Sequence, residues 1–178
     1  MNQTNGPLLG YREWRVAWDT PEGRPILQSL YTGYYWPESV FRGQEPEEQP
    51  EVGQYNYRHG VHAYTKDRHS PSYLSRPPGF LYSELRALGA VALTGKVVIH
   101  TDEVVRASYC KILALRLALD DLDEDINIPV RRIDDSTGQL YTTKNARELQ
   151  HLLLSIYEVP MLPLGEGPWL APWGWCHA

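Results

Sequence analysis

Histidine, tyrosine and arginine side chains gather in one short segment of the sequence. The members are Tyr55, Tyr57, Arg58, His59, His62 and Tyr64, and Arg68 follows shortly after them. If this segment is extended, side chains alternate between its two faces, so that His59 and His62 face opposite sides and need not converge. Aromatic rings and guanidinium groups stack bases, nucleotides and partner side chains. The segment is therefore the candidate binding site.

Metal binding is not expected at this segment. A catalytic zinc takes three protein ligands, and the helical His-Glu-x-x-His arrangement is absent around His59 and His62. A half-buried strand, with His and Tyr tips that hydrogen-bond locally, explains the same residues without chemistry. The sequence predicts no metal and no cofactor.

No residue set with a catalytic spacing is present elsewhere. The sequence contains no Gly-x-Ser-x-Gly, Walker A or Gly-x-Gly-x-x-Gly motif. Neighbouring carboxylates such as Asp102 and Glu103 lie in polar connectors, where turn capping or a solvated surface accounts for them. We therefore identify no catalytic residue, and the sequence favours a protein that is not an enzyme.

Composition narrows the class of protein. With 42% hydrophobic residues in 178, the chain is apolar enough to fold as one domain spanning 1–178. The net charge of -5 argues against sequence-independent nucleic-acid binding. Cys110 and Cys176 offer no disulfide framework, and no segment has the length of an apolar membrane span. We expect a cytoplasmic protein that does not bind membranes.

Hydrophobic spacing predicts an α+β fold, a mainly antiparallel twisted sheet with one principal covering helix. The expected strands lie near 11–18, 26–32, 57–65, 89–100 and 105–118, and Gly95 suggests a bulge in the fourth of them. The segment 105–119 alternates like a strand but is rich in Leu and Ala, so strand and helix both stay open.

One helix is expected, and the pattern allows a second, short one. The apolar face of Ala146, Leu149, Leu152, Leu153 and Ile156 predicts a helix over 144–157 that covers Val91, Leu93, Val97 and Ile99. Leucines at i, i+4 and i+7 allow a short helix from Phe80 to Leu88.

Three segments are expected to lie outside the regular structure. They are a flexible N-terminus at 1–9, an acidic and Pro-rich loop at 43–54, and an irregular aromatic tail at 161–178. The tail contains Trp169, Trp173 and Trp175 among Pro and Gly residues. It packs either on its own domain, which we favour slightly, or on a partner.

Two short segments are similar to strand motifs of ADP-ribosyltransferase-like folds. Leu30-Tyr-Thr-Gly33 matches an early Tyr-x-Gly strand, and Gly60-Val-His-Ala-Tyr64 matches a later Gly-x-Tyr strand. The resemblance implies that Tyr31, His59, His62 and Tyr64 grip a nicotinamide dinucleotide. The first-strand His of that pattern is missing and no downstream Glu can be assigned, so structural strands explain both segments better.

A wider resemblance covers residues 10 to 110. Gly10-Tyr-Arg-Glu-Trp14, Leu27-Gln-Ser29, Trp36-Pro37, Gly89-Ala-Val-Ala-Leu-Thr-Gly-Lys-Val-Val98 and Arg106-Ala107 resemble motifs of a family of small uncharacterised proteins from actinobacteria and their phages. That family has Cys-x-Cys-Gly-Ile-Tyr-Ala where this chain has Tyr57-Arg-His-Gly-Val-His-Ala63. The resemblance implies an actinobacterial or phage source and no specific function.

Three functions remain open at this point. The first is a non-enzymatic protein-interaction or accessory domain, phage-encoded or phage-derived, that presents an aromatic and histidine surface to a protein partner. The second is a nucleotide-binding protein or nucleotide-handling enzyme, and the third is a selective nucleic-acid binder using Arg58, Lys66, Arg68 and the adjacent tyrosines. A homo-oligomer is also left open.

Overall fold

The computed structural model describes eight parts of the chain, and the architecture below refers to them alone: residues 7–19, 23–29, 34–46, 59–65, 86–99, 104–118, 127–132 and 141–161. They form one mainly antiparallel sheet and one helix, as the α+β prediction expects in outline. The segment 47–58 and the tail from 162 onward lie outside these residues.

Nine strands and one helix make up this part of the chain. They are β1 (Leu8–Asp19), β2 (Arg24–Ser29), β3 (Tyr35–Trp36), β4 (Val40–Arg42), β5 (Val61–Tyr64), β6 (Arg86–Ile99), β7 (Val104–Ala118), β8 (Asn127–Arg132), β9 (Tyr141–Asn145) and α1 (Ala146–Tyr157).

The first two predicted strands are present with different bounds, and they pair as a hairpin. β1 and β2 pair antiparallel from Trp14 opposite Ser29 to Asp19 opposite Arg24. β1 begins at Leu8, so Leu8 and Leu9 belong to the sheet rather than to the flexible N-terminus expected at 1–9. The reason is that both residues pair with β6, whose Leu93 lies opposite Leu8.

The long hairpin of β6 and β7 shows the secondary structure of two segments for which a helix had been considered. The segment that allowed either strand or helix is a strand, because it pairs with β6 along nearly its whole length, from Val105 opposite Ile99 to Ala118 opposite Arg86. The helix expected from Phe80 to Leu88 is wrong at its C-terminal end, since β6 begins at Arg86. Cross-strand pairing outweighs the helical preference of leucine at both places.

The bulge expected at Gly95 is present. The register between β6 and β7 shifts between Thr94 and Val97, and Gly95 has a φ of 76°. The hydroxyl of Ser108 accepts a hydrogen bond from the Lys96 backbone N–H over 3.0 Å, which holds the displaced backbone. The bulge lets the strand bend while both of its halves stay paired.

The strands close into a ring. β1 pairs with β6, β6 with β7, β7 with β5, and β5 returns to β1 through Tyr64 opposite Tyr11. β2 and β3 extend the sheet from β1, and β4 lines the outer edge of β7. The sheet is therefore a small barrel whose interior is the hydrophobic core.

The hairpin of β8 and β9 was not expected from the sequence. β9 pairs antiparallel with β8, and β8 joins the end of β1 in parallel, with Ala17 opposite Arg131 and Trp18 opposite Arg132. Ile128 and Val130 alternate in β8, but Pro129 between them argued against a strand, and the polar residues of β9 gave no apolar pattern to find.

The helix predicted at 144–157 is confirmed with a later start. Asn145 caps it, since its side-chain oxygen accepts from the backbone N–H groups of Arg147 and Glu148. Leu149 and Leu153 are buried as expected, yet α1 packs against β2 and β9. Ile99, which the helix was expected to cover, is 40% exposed at the end of β6.

Tyr157, at the end of α1, ties the helix into the sheet. Its hydroxyl accepts a hydrogen bond from the Leu27 backbone N–H over 2.8 Å and donates one to the Trp36 carbonyl oxygen over 2.5 Å. Leu27 and Trp36 lie opposite each other on β2 and β3. In the ladder between β2 and β3, the Tyr157 hydroxyl therefore lies between the Leu27 N–H and the Trp36 carbonyl oxygen, which would otherwise face each other.

Candidate functional site

The strand β5 carries two of the predicted binding residues on its outer face. Val61 and Ala63 point into the barrel and are buried, whereas His62 and Tyr64 alternate with them and are half-buried on the outside. The two outward rings meet edge to face, with centroids 4.9 Å apart and an interplanar angle of 72°. They form one continuous aromatic surface.

Two residues from neighbouring strands extend this surface. Tyr11 of β1 lies opposite Tyr64, and Arg106 of β7, which is only 9% exposed, lies opposite His62. We call the group of Tyr11, His62, Tyr64 and Arg106 the β5 surface. Local sequence patterns did not indicate Tyr11 and Arg106 as site residues because their proximity depends on pairing between distant parts of the chain.

His59 lies beside the β5 surface without being part of the strand. Residues 59 and 60 form a bend, and Gly60 has a φ of 81°. The His59 carbonyl oxygen accepts a hydrogen bond of 2.8 Å from Nη1 of Arg106. Arg106 therefore connects the bend before β5 to β7, and it does so from the outer face.

Arg12 contacts the same strand from inside the barrel. It lies opposite Gly89 in β1, on the inward side with Trp14, and it is half-buried. Its Nη1 donates to the carbonyl oxygen of His62, and its Nη2 donates to Oγ of Ser29 over 2.9 Å. Its spacing of two from Trp14 puts it on the face of Trp14, Val16 and Trp18, but it was not among the predicted site residues.

Tryptophan rings surround the Arg12 guanidinium. Its central carbon lies 5.0 Å from the ring centroid of Trp36 and 5.7 Å from that of Trp14. Nε1 of Trp36 donates to the same Ser29 hydroxyl over 3.0 Å. Cation–π attraction and these hydrogen bonds fix the guanidinium under β5.

The Cys110 thiol lies in the same interior and has low reactivity. Burial raises its pKa to about 12, and the positive charge of Arg12 opposes that shift only in part. Since the thiolate is the nucleophilic form, a buried thiol with this pKa is a poor nucleophile near neutral pH. Cys110 acts as a small apolar core residue.

Five predicted site residues cannot be placed: Tyr31, Tyr55, Tyr57, Arg58 and Arg68 lie outside the described residues. Among the residues that the structure does describe, no group of three or more His, Cys, Asp or Glu side chains has an arrangement that holds a metal ion. Within the same residues, no helix has the length and apolarity to cross a membrane.

Comparison with known proteins finds no match for the chain. It matches no protein-family model, no curated protein and no solved structure. The resemblance to small actinobacterial and phage proteins therefore stays a prediction, and function has to be argued from the geometry of the site.

Proposed function

We propose that this protein is a non-enzymatic interaction domain that binds a protein partner through the β5 surface. The observation that carries the proposal is the edge-to-face contact of His62 and Tyr64 on the outer face, flanked by Tyr11 and Arg106. Tyrosine is enriched at the centres of protein interfaces, where its large ring buries much area with few rotatable bonds. Arg106 holds the bend beside these rings through its hydrogen bond to the His59 carbonyl oxygen.

Rigidity of the support also favours binding. The inward side chains behind the β5 surface, Val61, Ala63, Val105 and Ala107, are buried in the barrel. Their packing holds the outward residues in place before a partner arrives, which lowers the entropic cost of association. A surface of this kind suits recognition more than chemistry.

The proposal is tested by capture followed by titration. The wild-type chain, a His62→Ala/Tyr64→Ala double variant and a Tyr34→Ala control are immobilised and exposed to lysate from an actinobacterium. Tyr34 is a matched control because it is a tyrosine, 65% exposed, outside the β5 surface. A protein retained by the wild type and the control but lost with the double variant is then purified and titrated against all three.

Other outcomes of the experiment count against the proposal. A protein retained equally by all three chains places the interface elsewhere. Thermal stabilisation by a nicotinamide dinucleotide that disappears in His62→Ala supports the nucleotide-binding alternative. Binding of an oligonucleotide that weakens steeply with salt and depends on Arg106 supports the nucleic-acid alternative.

A further inference from the structure

The strand β5 is unevenly anchored in the barrel. On one side it pairs with β7 over four residues, from Val61 opposite Ala107 to Tyr64 opposite Val104. On the other side its pairing with β1 consists of Tyr64 opposite Tyr11. The backbone ladder alone therefore secures β5 to β7 much more firmly than to β1.

Two arginines supplement this ladder from opposite faces of the barrel. Arg12 reaches from β1 through the interior to the His62 carbonyl oxygen, and Arg106 reaches from β7 on the outside to the His59 carbonyl oxygen. The Arg12 bond spans the side on which the ladder is short. It links β1 to β5 at a residue of the β5 surface itself.

Other contacts already hold the Arg12 side chain in the orientation that this hydrogen bond needs. Because its second nitrogen is bound to Ser29 and its plane lies near the rings of Trp14 and Trp36, little additional freedom is lost when it binds His62. A charge-assisted hydrogen bond is also stronger than a neutral one, and more so where rings exclude water.

We propose that Arg12 is a latch that holds β5 closed against β1, and that β5 opens as a local unit when this latch is released. Without the bond from Arg12, β5 depends on β7 and behaves as an edge strand. Local openings of this kind occur in short segments with few anchoring contacts while the rest of the fold stays intact. The latch requires no binding partner, so its test is independent of the proposed function.

Residue-resolved hydrogen exchange measured by NMR on the full chain tests the latch. In Arg12→Gln we expect the amides of β5 to exchange at least about ten-fold faster than in the wild type, while those at the centre of β6 change by less than about three-fold. Arg12→Lys, which keeps the charge but loses the two-pronged geometry, should fall between them. Arg42→Gln is the control, since Arg42 is exposed, lies on β4 and stacks over Tyr109.

Several outcomes of the hydrogen-exchange experiment would overturn the proposal. Unchanged β5 exchange in Arg12→Gln overturns the latch, and so does an equal acceleration in β5 and β6, because Arg12 would then support the whole barrel. If Arg12→Gln does not fold, exchange of the wild type in low denaturant decides the question. β5 should then open at lower denaturant than β6, and simultaneous opening overturns the proposal.

Discussion

Removal of one oxygen atom tests the link between α1 and the sheet. Tyr157→Phe keeps the ring, which is 1% exposed, and deletes the hydroxyl that bridges the Leu27 N–H and the Trp36 carbonyl oxygen. Both backbone groups then lack that partner in a buried place. An unsatisfied buried group costs about 1–3 kcal/mol. Because β2 and β3 can partly close the gap left by the hydroxyl, the cost for the two groups together is less than the full sum. We expect the free energy of unfolding to fall by about 2–4 kcal/mol.

Urea denaturation followed by tryptophan fluorescence measures this change. The midpoint should fall with an unchanged m-value, because the mutation leaves the surface exposed on unfolding nearly the same. The melting temperature should fall by about 5–15 °C, given about 2–4 °C for each kcal/mol in a chain of this size.

The matched control is Tyr34→Phe, which removes the same atom from a side chain that is 65% exposed. Its effect should stay within about 0.5 kcal/mol, as is usual for surface substitutions. If the free energies of unfolding of Tyr157→Phe and Tyr34→Phe agree within that margin, the hydroxyl of Tyr157 does not hold the helix to the sheet.

Three further results are expected. Burial raises the pKa of Tyr157 above its usual value, against smaller opposing effects of the Leu27 N–H and Arg24. The contribution of Tyr157 to stability is therefore complete below about pH 10 and is lost as the pH rises further. Urea titrations at alkaline pH should show no such loss for Tyr157→Phe. Gly89→Ala should lower the free energy of unfolding by about 1–3 kcal/mol in the same denaturation assay, because a Cβ there lies 2.5 Å from Cζ3 of Trp14, and a neutral result contradicts that packing. In a Cys176→Ser background, iodoacetamide should label Cys110 at pH 8 at least about a hundred-fold more slowly in the folded chain than in urea, and equal rates would show that the thiol is accessible.

Local patterns predicted the strongest elements of the fold. The apolar face of the C-terminal helix appears in the sequence as Leu149 and Leu153, although the expected start at 144 overlooked the cap at Asn145. Alternation marked β1 and β6, and a glycine within the strand marked the bulge at Gly95. In each case the physical cause lies within a few neighbouring residues.

The missed features depend on contacts between distant parts of the chain. Leu113, Leu115 and Leu117 satisfy strand spacing while leucine favours helix, and pairing with β6 decides the outcome. The ring closure by β5 needs one contact between Tyr11 and Tyr64, which no local pattern contains. Such pairings follow from the fold as a whole.

The site was predicted in part. His62 and Tyr64 were identified from composition, and the expected alternation places them outward beside buried Val61 and Ala63. Arg12 was missed because an arginine in a strand normally points to solvent, and here Ser29 and two tryptophans make an inward position favourable. Buried arginines are visible only once their partners are known.

The most direct test of the proposed interaction is a titration of the purified partner against wild type, Tyr64→Ala and Tyr34→Ala. If the β5 surface is the interface, Tyr64→Ala should raise Kd by about 30-fold, the loss expected for a central interface tyrosine, and Tyr34→Ala by less than about two-fold. Equal Kd values for the wild type and Tyr64→Ala would contradict the account.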